Sequence, residues 1–274
     1  MVAPRSACPA CNQPIAAYDN IPVVSWLLLR GKCRHCNAII SPRYAAVELL
    51  AGLLFGLSYV TAKGMPLEAI KYSICCFLLL GLVFTDAETR LLPDLLTKPG
   101  IVLGILFSLF VRLEGPMELY LQGNLNWRIL SLANSMAGAV FGSTFLLGIA
   151  LLYQAARGAE GMGKGDVKLM ALIGAFLGMK LTLFVLVLGA MAGSIFGGLL
   201  ILAVWRKRLA RRQRRASAEP AAMARAMAWR SAKLIYRNFE MPFGVFLGAA
   251  ALVAIFFGDS LVDRYMRWSM GLFQ

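Results

Sequence analysis

Apolar residues fall in long blocks rather than on one face of each segment. Blocks near residues 45–62, 67–85, 98–113, 131–153, 167–179, 181–205 and 241–258 approach the roughly 20 helical residues needed to cross a hydrocarbon core. The pattern predicts an all-α polytopic membrane protein with about seven transmembrane helices. The apolar run from Lys168 to Trp205 would make a helix of roughly 57 Å, too long for one crossing of about 30 Å. A turn is therefore predicted at Gly178, Met179 and Lys180. Composition agrees: 59% hydrophobic and 15% charged residues with a mean hydropathy of +0.68 lie outside the soluble globular range.

Charge then orients the chain. Between 206 and 237 stand Arg206, Lys207, Arg208, Arg211, Arg212, Arg214, Arg215, Arg225, Arg230, Lys233 and Arg237 against one acid, Glu219. Positive connections stay inside, so 206–237 reads as a basic cytoplasmic loop. Counting crossings back places 1–44, 86–97 and 154–166 inside too, with 114–130 and the C-terminus outside. The net charge of +14 would otherwise point to nucleic acid, but orienting loops that meet anionic membrane lipids account for it, and no nucleic-acid partner is expected. Residues 221–237 stay unassigned, because Arg230 shares a helical face with Met223, Met227 and Leu234.

Residues 1–44 form a different, small domain ahead of the membrane region 45–274. Cys8 and Cys11 make one C-x-x-C pair and Cys33 and Cys36 another, with turn residues between them. Two such knuckles suit tetrahedral zinc, closed and therefore structural. The alternative, a pair of disulfides, fits poorly with a reducing cytoplasm. His35, the single histidine, is expected to be a solvated neighbour. Cys75 and Cys76 lie inside an apolar block as small core residues.

With no other histidine and no motif-supported nucleophile, the chemistry falls to carboxylates. Asp86 ends one apolar block and Asp166 opens another, both at the cytoplasmic side. Ionisable groups at that depth are costly and mark function. Packed together, the two can share a proton, one serving as base and the other as acid on a water that attacks a peptide carbonyl. Gly163 and Gly165 beside Asp166 would let a substrate backbone approach closely. Asp94 is the second candidate, and it also fits the first turn of a helix. Glu88 and Glu160 read as exposed loop acids. Glu48 is expected to pair with Arg43 or Arg90 or to join a polar site. The alternative function is a transporter or channel whose boundary aspartates bind a cation or relay protons.

These residues resemble a family, the bacterial type IV prepilin peptidases. The resemblance is carried by Cys8-Pro-Ala-Cys11, Tyr18 to Trp26, Arg30 to Cys36, Ile40 to Tyr44 with Glu48, Asp86 with Leu92-Pro93-Asp94, and Gly163 to Met170. It implies an intramembrane aspartyl protease of the inner membrane with catalytic Asp86 and Asp166 and a zinc site at Cys8, Cys11, Cys33 and Cys36. It also implies cleavage of type IV prepilins or type II secretion pseudopilins after a glycine that ends a basic leader. Methylation of the new N-terminus by S-adenosylmethionine would follow. No Rossmann fingerprint supports the methyl transfer, and its expected site is the region of Asp19, Asn20 and Glu48. Family members usually begin with a further transmembrane helix ahead of the cysteine domain, and the sequence departs from that pattern by starting almost at Cys8.

Overall fold

A computed structural model describes residues 6–120, 126–158, 163–215, 221–237 and 242–271. The described chain is helical, with isolated bridges Ala7 to Pro14 and Lys32 to Ile39 in place of strands. After a 3₁₀ turn at Ala17–Asn20 come α1 (Val24–Leu28), α2 (Pro42–Thr61), α3 (Pro66–Thr89), α4 (Asp94–Phe107), α5 (Met117–Tyr120), α6 (Trp127–Arg157), α7 (Lys164–Arg215), α8 (Ala221–Arg237) and α9 (Phe243–Gly271). The chain divides into two compact units, 1–77 and 78–274.

In the first unit the cysteine segment leads into α2, whose start is fixed by Pro42 and by Ser41 accepting the Arg43 N–H. Trp26 donates its indole N–H to Ile40 O at 3.0 Å. Gly31 sits at φ +68, with its missing Cβ facing the Trp26 ring at 3.0 Å. The knuckle loop is thus folded onto an aromatic base. Glu48 accepts the Val23 N–H at 3.0 Å. Val23 has φ 62, and the carboxylate satisfies the N–H of this strained turn.

The second unit is held by small residues where helices cross. Gly138 of α6 and Gly174 of α7 meet backbone to backbone, so a Cβ on either would strike the other. Ser135 Oγ donates to Ala175 O across the same crossing at 2.7 Å. Gly100 and Gly104 let α4 lie against Leu172 and Ala175 of α7, and Gly189 and Gly258 do the same between α7 and α9. Asn134 of α6 ties down the chain after α4, donating to Leu113 O and accepting from Met117 N.

Among the described residues, five helices are long and apolar enough to span a membrane: α2, α3, α6, α7 and α9. The expected turn in the long run exists, because Gly178 interrupts α7 with φ 75 and ψ 175, a conformation open to glycine. In place of the 98–113 block, α4 begins at Asp94 and ends at Phe107, 14 residues in all. Within the basic segment 206–237, α7 stays helical to Arg215 and the unassigned residues 221–237 form α8 (Ala221–Arg237). Arginine, lysine, alanine and glutamine are strong helix formers, so the charge marks where the apolar surface ends and not where the helix does.

Candidate active site

Three helix ends build the site. Asp86 lies in the last turn of α3, Asp166 in the first turn of α7, and Gly244 in the first turn of α9. Both carboxyl groups are withdrawn from solvent, Asp86 at 4% exposure and Asp166 at 8%. They converge on Gly244: the place its Cβ would occupy is 2.7 Å from Asp86 Oδ2 and 3.1 Å from Asp166 Oδ1. The N–H groups of Gly244 and Val245 both reach Asp86, the latter at 3.0 Å. These are free donors of a helix N-terminus, where a negative charge is favoured. The two acids expected to meet are therefore brought together, and α9 supplies the groups that orient one of them.

Gly244 was not among the residues singled out from the sequence. Its only signal is Met241-Pro242-Phe243-Gly244 at the start of the last apolar block, a helix-start pattern that names no chemistry.

The loop before Asp166 is a tight turn in which Asp166 N donates to Gly163 O at 3.2 Å. Gly165 gives room to Leu92, whose Cβ would be 3.0 Å from an added Cβ, whereas Gly163 faces only its own turn. Asp94 takes lysines as partners. It forms ion pairs with Lys168 at 2.5 Å and Lys98 at 2.7 Å, tying the start of α4 to the helix that carries Asp166. Glu88 is exposed, and Glu160 lies outside the described residues.

In the first unit the sulfurs of Cys8, Cys11, Cys33 and Cys36 all lie within 4.8 Å of one another, and all four are free thiols. Cys8 Sγ and Cys36 Sγ are 3.9 Å apart, close to the edge of about 3.8 Å that a tetrahedron with 2.3 Å metal–sulfur bonds requires. The N–H groups of Cys36 and His35 point at the Cys33 sulfur and lower its pKa to about 6, favouring the thiolate that ligates metal. The four sulfurs thus fit a metal ion. His35 is exposed beside them. Asp19 forms a two-pronged pair with Arg34 at 2.6 and 2.8 Å. That guanidinium holds the Asp19 carboxyl below its ordinary range. Asn20 is exposed nearby, as is Glu48 on α2. Cys75 and Cys76 are fully buried in α3.

Comparison with known proteins identifies relatives of the chain. Residues 1–62 match the bacterial peptidase A24 N-terminal domain and residues 72–198 match the type IV leader peptidase family. Proteins named prepilin leader peptidase/N-methyltransferase are similar along most of the chain. The one from Aeromonas salmonicida is 34% identical over 97% of this chain and 76% of its own length. That from Stutzerimonas stutzeri is 32% identical over the same shares. That from Neisseria gonorrhoeae is 40% identical over 66% of this chain and 57% of its own. No solved structure matches the chain. With two family domains in order and similarity across nearly all of its residues, the chain belongs to the type IV leader peptidase family.

Proposed function

We propose that this chain cleaves the basic leader from type IV prepilins or type II secretion pseudopilins, after the glycine that ends the leader, with Asp86 and Asp166 as its catalytic pair. The observation that carries this reading is the convergence of two buried carboxyl groups on Gly244. Two like charges so close cannot both ionise readily, so the pair shares a proton. The N–H donors from α9 suit a carboxylate acceptor at Asp86, which leaves the shared proton on Asp166. Asp86 then removes a proton from a water that attacks the scissile carbonyl, and Asp166 protonates the carbonyl oxygen. Collapse of the tetrahedral species expels the amine, which takes up a proton from the pair. Membership of the family favours this chemistry over transport of a cation.

The metal held by the four cysteines is zinc in this reading, structural because all four positions are filled by protein. The second activity in the relatives' name is methyl transfer. Here S-adenosylmethionine would supply the methyl group to the new N-terminus. The region of Asp19, Asn20 and Glu48 remains the proposed place for it. The topology is a seven-pass one in a bacterial inner membrane, with the basic α7–α8 region and the cysteines facing the cytoplasm. A prepilin presents a basic leader on that side and an apolar helix within the bilayer.

Mass spectrometry of a prepilin incubated with detergent-purified enzyme and S-adenosylmethionine tests this. The unaltered enzyme is expected to release the leader and add one methyl group, while Asp86→Asn and Asp166→Asn release nothing. Normal cleavage by either folded variant would remove that aspartate from the mechanism.

A further inference from the structure

The α7–α8 hairpin takes no part in the peptidase reading, yet it carries a cleft of about 340 Å³ lined by Leu202, Trp205, Arg225, Ala226 and Trp229. One face of α8, Ala224, Ala228 and Ala232, is buried at the i, i+4, i+8 spacing of a helix that packs closely on its neighbour. Small side chains there bring α8 against α7 and leave Arg225 and Trp229 beside Trp205. The cleft stands where the apolar surface of α7 gives way to charge, immediately before Arg206, Lys207 and Arg208. Below it Leu202, Leu199 and Ile195 are exposed, and their spacing puts them on one side of α7. The lining is almost wholly apolar, with the exposed Arg225 bordering it, and it continues an apolar track along α7.

We propose that this cleft binds one anionic phospholipid of the surrounding leaflet. Arg225 would pair with the phosphate, Trp205 and Trp229 would flank the glycerol region, and an acyl chain would lie along Leu202, Leu199 and Ile195. Paired tryptophans suit the level of the headgroups, and a guanidinium suits a phosphate. The choice of occupant rests on charge. The hairpin region holds eleven basic residues and one acid, which attracts an anionic lipid and repels the basic leader of a prepilin.

Native mass spectrometry of the full chain in detergent, supplied with phosphatidylglycerol or phosphatidylcholine, tests the assignment. One phosphatidylglycerol should persist at energies that strip phosphatidylcholine. Arg225→Gln should cut that retention by about tenfold, the weight of one charge-assisted bond, and Arg225→Lys should keep most of it. Arg264→Gln and Arg267→Gln, near the other end of α9, should leave it unchanged. Each variant's prepilin cleavage reports whether it is folded. Equal retention of both lipids, indifference to Arg225→Gln, or equal loss in the α9 variants would overturn the proposal. So would displacement by inorganic phosphate, which marks a free-anion site, or by a prepilin's apolar helix, which marks a substrate groove.

Discussion

A single missing methyl group does more for the candidate site than most of the side chains present. Adding it in Gly244→Ala would place carbon 2.7 Å from Asp86 Oδ2 and 3.1 Å from Asp166 Oδ1, too close for van der Waals contact. The pair would have to spread, and a misplacement of about 1 Å costs on the order of a hundredfold in rate. Leader cleavage by Gly244→Ala should fall by about that much while the variant elutes as the unaltered protein does. Asp94→Ala should behave otherwise. Its pairs with Lys168 and Lys98 leave the Asp94 side chain 44% exposed, and such pairs contribute little. Its cleavage rate should stay within about tenfold of normal, and complete loss would put Asp94 among the catalytic groups. Asp86 and Asp166 were legible in the sequence because charge at a membrane boundary is costly and must have a reason. Gly244 was not, since its contribution is the absence of atoms and shows only when three helix ends meet. The cysteines were legible by spacing alone, and any one changed to serine should lower bound metal from about one ion per chain toward none, as elemental analysis would report.

At the scale of elements, glycines again decide how near the helices come. The α6–α7 crossing is made by Gly138 and Gly174 with no side chain between their backbones. Gly174→Val should push α7 off α6 and lower the thermal midpoint in detergent by the equivalent of about 1–3 kcal/mol, the usual cost of overpacking. It should also weaken cleavage, because α7 carries Asp166. Gly52 of α2, which faces open space, should accept the same change with little effect. The break at Gly178 was legible because an apolar run of that length cannot cross a bilayer once. Thr182 Oγ1 returns a hydrogen bond to Gly178 O at 2.6 Å, and Lys180 pairs with Asp259 and Asp263 of α9, so side chains take up what the broken helix gives away. That α7 stays helical as far as Arg215 was not legible, since a dense run of arginines obscures the periodicity that otherwise signals a helix.

Across the membrane unit, the helix lengths say how deep the pair lies. From Asp166 to Gly178 α7 climbs 12 residues, about 18 Å, and then turns back. Near Gly193 it passes Phe243 and Phe246 in the first turn of α9, the turn that holds Gly244 beside both carboxyl groups. From that level α7 runs on for another 12 residues, again about 18 Å if it stays upright, before Trp205 and Arg206 mark the charged boundary. The pair therefore lies some 12 residues of α7 below the level of Trp205 and Arg206. In the proposed topology water enters from the cytoplasmic side, and the scissile bond reaches the pair from there. Cysteine substitution measures that depth. A cysteine at Lys207 should react with a water-borne maleimide applied from the cytoplasmic side. One at Ile195, exposed on α7 at the level of the pair, should not, because the side chain there meets lipid. Peptide mapping separates these from the native cysteines. Equal labelling at both positions would bring Asp86 and Asp166 up to the surface, where a soluble peptide without an apolar helix should serve as substrate as well as a full prepilin. Protection at Ile195 alone predicts the opposite: the enzyme should favour substrates whose own helix is held in the bilayer beside it.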